Sequence, residues 1–248
     1  MELFYPEMRV ELGSYIFTEG IEITVHSAAS TYFDWAKVRF TRQFQEKITI
    51  PQDTWAAIYL GYDGTFFSVF EGYVVREYNN AEADDEILLK DAAILLEKTQ
   101  IASTFLSATP QEIITYCLEQ AGITDYSLSD VIHPRRARFP IMKKNILSVI
   151  GEVHSAWQIN VPFFFLDSVF YWGDAPKQQV YSHFEYQQNI IRLDREDGAW
   201  ALETVSVPFI RHSQVISLTH PRLSGEFTVK KVIFTTESTG FIRTKLVF

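Results

Sequence analysis

The chain has 248 residues, of which 47% are hydrophobic and 15% aromatic, so it can bury one large core or two modest ones. Its formal net charge of −9 argues against a general nucleic-acid-binding surface, because neutralising phosphates requires clustered lysine and arginine. The single cysteine, Cys117, excludes an intrachain disulfide and a multi-cysteine zinc site. Residues 1–7 have neither a basic start nor an apolar stretch, so the sequence predicts no signal peptide and no membrane anchor.

Residues 8–78 are predicted to form strands. Ile21, Ile23 and Val25 alternate with polar residues, which is the period of a half-buried strand. The pair Asp63-Gly64 between two apolar runs predicts a tight hairpin. Short strands at a spacing of roughly ten residues are typical of a small barrel or sandwich.

Residues 79–157 have a helical period. The acidic run 79–86 is interpreted as a solvated linker into a helix N-terminus, where carboxylates complement the helix dipole. The apolar residues that follow are predicted to share one face of this helix: Leu88, Leu89, Ala92, Leu95 and Leu96.

The strongest local signal is a capping box at Thr109 and Glu112, with Pro110 in the first helical turn. Gly122 is predicted to end this second helix. A third helix is expected after Asn145.

Residues 160–248 return to strands, since the helical period ends near Trp157. An order of strands, helices and strands lacks the alternation of a doubly wound sheet, and it predicts an α+β or β-barrel layout. The aromatic runs 163–165 and 170–172 are interpreted as buried strands. The other candidates are 189–193, 200–207, 214–219, 226–235 and 241–248.

Three carboxylates, Asp194, Glu196 and Asp197, are candidates for glycoside hydrolysis, which uses paired acids. The same residues also fit a hairpin turn with Asp197-Gly198 at its tip, and we favour that interpretation. No nucleotide-binding or nucleophile-elbow motif occurs in the sequence.

Two histidine–glutamate pairs are candidates for acid–base or metal sites, and ordinary polar positions are the favoured alternative. His183 and Glu185 could share a strand face, whereas Glu152 and His154 lie two residues apart on a predicted helix and face different sides. Cys117 is expected to be a buried apolar residue on the second helix. We therefore predict no catalytic, cofactor-binding or metal-ligating residue and no cofactor.

Arg135, Arg136 and Arg138 form the only basic cluster. An exposed loop after Pro134 is the favoured interpretation, and a protein–protein contact or a phosphate-binding site are the alternatives.

Two segments resemble the phage tail-hub, or late-control, family. Residues 53–64 read D-x-W-x-x-I-x-L-G-Y-D-G and residues 69–74 read V-F-E-G-Y-V, which is similar to the first barrel of tail hubs. Residues 215–229 and 240–246 are similar to the family's closing strands, and the helix at 109–122 resembles the one that opens its inserted domain.

This resemblance implies two small β-barrel domains, residues 1–80 and 161–248, with a helical α/β domain at 81–160 inserted between them. It implies a non-enzymatic baseplate hub, related to hubs of contractile tails and type VI secretion spikes. The expected partners are two further copies in a trimeric, pseudo-sixfold ring, the tail tube protein, the spike or tail-tip protein and other baseplate proteins. DNA would be passing cargo only.

The expected location is the virion tail, assembled in the bacterial host cytoplasm. The alternative functions are a tail-tip adaptor or host-surface binding module, and then a cell-wall hydrolase.

Overall fold

The computed structural model describes residues 6–41, 47–80, 86–178, 181–237 and 241–248, and the statements below concern these residues. The chain divides into two compact units. The first, called the β unit here, comprises residues 1–91 and 176–248, and the second, the mixed unit, comprises residues 92–175. These limits differ from the segment bounds that the sequence suggested, since residues 161–175 belong to the mixed unit.

The β unit begins with nine strands. They are β1 (Pro6–Leu12), β2 (Tyr15–Phe17), β3 (Ile21–Ala28), β4 (Trp35–Phe40), β5 (Thr49–Ile50), β6 (Trp55–Tyr62), β7 (Thr65–Val74), β8 (Tyr78–Asn79) and β9 (Glu86–Lys90).

The mixed unit combines helices and strands. They are α1 (Ala93–Lys98), β10 (Gln100–Ala108), α2 (Pro110–Gln120), β11 (Tyr126–Leu128), β12 (Arg136–Asn145), α3 (Ile146–Trp157), β13 (Phe163–Leu166) and β14 (Val169–Trp172).

The chain then returns to the β unit. Its remaining strands are β15 (Ser182–Glu185), β16 (Ile190–Glu196), β17 (Ala199–Val205), β18 (Val215–His220), β19 (Leu223–Thr228), β20 (Lys231–Thr236) and β21 (Ile242–Val247). The predicted α+β, β-dominated class is confirmed.

One large sheet unites both parts of the β unit. Its strand order is β16-β17-β21-β20-β3-β4-β9-β7-β6-β1-β2. The two parts meet where β3 and β20 pair antiparallel, from Ala28 opposite Lys231 to Thr24 opposite Thr235. Across the described residues this order has two ends, β2 and β16, and no closed barrel is seen. A smaller sheet, β15-β18-β19, and the pair β5-β8 contribute to the same core.

The core of the β unit follows the alternation that the sequence predicted. Ile21, Ile23 and Val25 on β3 are at most 1% exposed, and the residues between them are half-buried. Phe184 and Leu218 from the smaller sheet pack into the same cluster. Burying each such side chain contributes about 2 kcal/mol.

The geometry of the β6–β7 hairpin requires glycine at two positions of the tail-hub-like motif. A Cβ on Gly61 would lie 2.0 Å from the carbonyl oxygen of Thr65, and a Cβ on Gly72 would lie 2.2 Å from that of Lys90. β7 meets β9 at this second glycine, where Tyr73 pairs with Lys90. Only glycine allows these backbones to approach so closely.

The helix predicted from Leu88 onward is wrong in its first half. Residues 86–90 form β9, which pairs with β4 and β7, and a helix begins only at Ala93. Ile87 and Leu89 are buried while Leu88 between them is exposed, so this short stretch has the period of a strand. Pairing with two neighbours outweighs the helical preference of leucine.

The second and third helices are confirmed. The Oγ1 of Thr109 accepts a hydrogen bond from the amide of Glu112 (3.3 Å), and the amide of Thr109 donates to Oε2 of Glu112 (3.0 Å). The helix ends as predicted at Gly122, which has φ +74° and whose amide donates to the carbonyl of Glu119. Asn145 caps α3 by accepting from the amide of Ser148.

Three further predictions need correction. The long strand expected at 226–235 is broken at residues 229–230 into β19 and β20, which pair with different neighbours. Arg136 and Arg138 lie on β12 and not on a loop. The acidic run 79–86 leads into a strand and not into a helix, since Asn79 lies on β8 and Glu86 on β9. Its residues 81–85, and residues 238–240 of the last predicted turn, lie outside the described residues.

Candidate functional site

The carboxylates of 194–197 sit on a hairpin, as the favoured interpretation predicted. Asp197 and Gly198 form its turn, with φ +47° and +83°. Asp194 forms an ion pair with Arg192 and lies 3.7 Å from Arg222, and Glu196 is 2.5 Å from Lys245. Both acids are thus engaged in ion pairs on the hairpin, which fits the favoured interpretation of charged residues beside a turn.

His183 and Glu185 occupy alternate positions of β15. The Nδ1 of His183 lies 3.2 Å from Oγ of Ser217 on the neighbouring strand β18. Within the described part of the chain, no group of three histidine, cysteine, aspartate or glutamate side chains is arranged to hold a metal ion.

Glu152 and His154 contact different partners. Glu152 forms an ion pair with Lys144 of β12. Nε2 of His154 accepts a hydrogen bond from the indole of Trp172 (2.7 Å), and burial lowers the pKa of His154. The histidine is therefore a neutral acceptor between aromatic rings, which is a packing role.

Cys117 is fully buried on α2, and burial raises its pKa to about 12. A thiol with this pKa is not a nucleophile near neutral pH.

Two of the three arginines in the basic cluster bond to nearby residues, and the third is exposed on a strand. Arg135 donates to Oε2 of Glu112 (3.0 Å) and thereby ties the segment before β12 to the start of α2. This contact adds to the bond from the Thr109 amide in lowering the pKa of Glu112. Arg136 donates to the carbonyl of Ala156 and lies 5.1 Å from the ring of Trp157. Arg138 is exposed on the same strand.

Residues beside this cluster were missed by the sequence analysis. Leu106 is 72% exposed and Met142 is 80% exposed, although both lie on strands. Their strands pair with each other in a separate two-stranded sheet. The alternation of 136–145 could have indicated this strand, but the proline and the charges in it favour a loop.

A cleft of about 640 Å³ lies in the β unit, beside the β6–β7 hairpin. Tyr62, Phe67 and Phe209 supply rings to its wall, and Asp63 and Gln188 supply polar groups. The described residues that line it include no lysine or arginine, so it does not favour an anionic ligand.

A scan against protein-family models and a search of curated protein sequences find no match to this chain. Solved structures do match. The 43 kDa tail protein of prophage MuSo2 from Shewanella oneidensis superposes with a TM-score of 0.70 at 11% identity, covering 97% of each chain. The chain has the fold of a phage tail protein.

Two further structures share the phage tail fold. A tail protein from Neisseria meningitidis MC58 has a TM-score of 0.68 at 9% identity, covering 98% of this chain and 96% of its own. A type VI secretion system component from E. coli, described as similar to the T4 bacteriophage tail proteins gp27 and gp5, has a TM-score of 0.67 at 11% identity. It is matched over 92% of this chain and 73% of its own length. The resemblance seen in the sequence is thus confirmed at the level of the fold.

None of the described helices has the length and apolar character needed to span a membrane.

Proposed function

We propose that this chain is a structural subunit of a phage or phage-derived tail, located in the baseplate. The observation that carries the proposal is the match to tail proteins over nearly the whole length of both chains. The tail-hub-like motifs add support from the sequence, and two of their glycines, Gly61 and Gly72, stand where two backbones approach closely.

Within the baseplate, the proposed role is a hub that joins the tail tube to the central spike or tail tip. Three copies would form a pseudo-sixfold ring, each copy contributing two barrel-like β halves, residues 1–91 and 176–248, with residues 92–175 as the inserted domain. The antiparallel pairing of β3 with β20 supports two β halves side by side in one subunit. Among the described strands, β2 and β16 are the two ends of the large sheet, and ring assembly can cover such edges.

The proposed ring would surround a channel for DNA. A net charge of −9 supports this use, since an acidic wall repels phosphates and lets the DNA pass without binding. The proposed location is the virion tail, after assembly in the host cytoplasm, and the proposed role involves no catalysis.

The alternative is a tail-tip adaptor or a host-surface binding module. The cleft beside β6–β7 is the observation that favours it, because its volume and mixture of rings and polar groups suit a small uncharged ligand.

Light scattering over a concentration series tests the hub proposal. A hub predicts a mass of three times 28.7 kDa, and electron microscopy of that species should show a ring with a central opening. A compact trimer without an opening contradicts the ring. The mass of a monomer at every concentration favours the adaptor instead of the hub.

A further inference from the structure

The sheet formed by β10 and β12, called the ribbon here, has two unlike faces. Phe139 and Ile141 on one face are 8% and 4% exposed, and Phe105 on the same face contacts Tyr116 of α2 with ring centroids 5.2 Å apart. The other face presents Leu106 and Met142, 72% and 80% exposed. The solvated face of an antiparallel sheet normally carries polar side chains, so this face departs from the expected pattern.

The exposed apolar side chains form one strip. Leu106 pairs with Arg138, and Thr104 pairs with Pro140, so Pro140 lies diagonal to Leu106 on the same face. Pro140 is exposed, and Met142, which lies two positions later at a register shift between β10 and β12, is exposed as well. A contiguous apolar strip of this kind marks a contact surface more often than isolated exposed residues do.

Cations surround the strip. Residues 135–144 contain five of the chain's 22 lysines and arginines and no acid. Internal contacts occupy Arg135, Arg136 and Lys144. Arg138 and Lys143 are both exposed, and neither forms an ion pair or side-chain hydrogen bond with a residue in the described ranges. Two cations therefore remain available to carboxylates of a partner.

The β12 edge of the ribbon is unsuited to strand addition. Proline cannot donate a ladder hydrogen bond, and charged side chains on an edge discourage pairing with another strand. Pro140, Arg138 and Lys143 all lie on β12. Since strand addition at β12 is disfavoured and Leu106 and Met142 are exposed, a partner is expected to dock on the face of the ribbon through side chains.

We infer that the ribbon face docks a second copy of this chain, which covers Leu106, Pro140 and Met142 and places carboxylates against Arg138 and Lys143. All 31 aspartates and glutamates lie outside residues 135–144, so the remainder of another copy is complementary in charge. The contact joins two different surfaces, which is the geometry that closes a ring. The inference rests on the proposed trimer and names a surface that forms it.

The experiment compares the double variant Arg138→Glu/Lys143→Glu with a matched control, Lys177→Glu/Lys230→Glu. The control makes the same charge change at two exposed lysines of the β unit. Light scattering should give a trimer for the wild type and the control. The trimer of the ribbon variant should dissociate at a concentration about 100-fold higher than the wild-type trimer does. This is the size of effect that reversing two close charge pairs produces.

A second measurement does not depend on how the charge reversal affects folding. Benzoylphenylalanine at position 142 of the otherwise unchanged chain should crosslink to a second copy on illumination, whereas the same probe at position 177 should not. A ribbon variant that stays trimeric, with no crosslink from position 142, overturns the inference while leaving the trimer in place. A wild-type chain that is monomeric and gives no crosslink overturns the inference as well, and the tail role is then judged by labelling of tail particles.

Discussion

The hairpins β6–β7 and β16–β17 turn on the same dipeptide but differ in their surroundings. Both Asp-Gly pairs have positive φ at both positions, +50° and +78° for residues 63–64 and +47° and +83° for 197–198. β6 and β7 lie inside the large sheet, whereas β16 is its end strand. The interior hairpin depends on glycines pressed against neighbouring backbone, and the end hairpin carries exposed ion pairs. Although the turns are alike, we expect substitutions to be tolerated on the end hairpin and not at the closely packed glycines of the interior hairpin.

The largest effect is expected at Gly72. The Gly72→Ala variant forces a Cβ against the carbonyl of Lys90, and it should lower the free energy of unfolding by about 3 kcal/mol. Urea denaturation measures this change in the free energy of unfolding. Gly151→Ala is the matched control, because a Cβ there meets nothing within 4 Å and α3 should gain up to about 1 kcal/mol. An unchanged unfolding midpoint for Gly72→Ala contradicts the close approach of β7 and β9.

The next effect concerns His26 on β3, in the middle of the sheet. His26 stacks on Trp35 with ring centroids 4.0 Å apart. Burial, together with Lys231 and Lys245, lowers its pKa to about 4 from an ordinary value of 6.5. Between these values the unfolded chain binds the proton and the folded chain does not, so stability falls as the pH falls from 6.5 to 4.

Because His26 is only partly buried, the loss over this range should be about 1–2 kcal/mol. Thermal unfolding of the wild type and of His26→Phe from pH 4 to 7 isolates the contribution, since both share all other titrating groups. Parallel pH profiles for the two proteins contradict the assignment.

A smaller and equal effect is expected at the two turns. Gly64→Ala and Gly198→Ala each place a side chain at positive φ in open space, which costs about 1 kcal/mol. Denaturant unfolding of the two variants checks that the turns are equivalent even though their strands are not. If one variant loses clearly more stability than the other, contacts beyond the turn are involved.

The smallest effect is expected on the end hairpin. Asp194→Asn/Glu196→Gln removes exposed ion pairs and should change stability by less than about 0.5 kcal/mol. The same variant tests the hydrolase alternative in a cell-wall lysis assay. Lysis by the wild type that the variant loses contradicts a purely structural hairpin.

Local signals in the sequence predicted the features that depend on a few neighbouring residues. The capping box at Thr109, the end of the helix at Gly122 and the Asp63-Gly64 turn are each encoded within a few residues, and each is confirmed. Alternation on β3 predicted the buried positions because one face of this strand meets the core.

Features set by distant pairing could not be predicted. Residues 86–90 look helical by composition and become a strand because β4 and β7 flank them. The pairing of β3 with β20 joins segments more than 200 residues apart and leaves no trace in local periodicity. The exposed strip on the ribbon was missed because a single sequence does not show which apolar residues remain uncovered.

The most direct test of the proposed tail role is labelling of tail particles from the cells that produce this chain. Gold-conjugated antibody against it, viewed by electron microscopy, should mark one end of each tube, where the tube meets the spike or tip. Label along the whole tube, or particles that contain none of the chain, would contradict a baseplate hub.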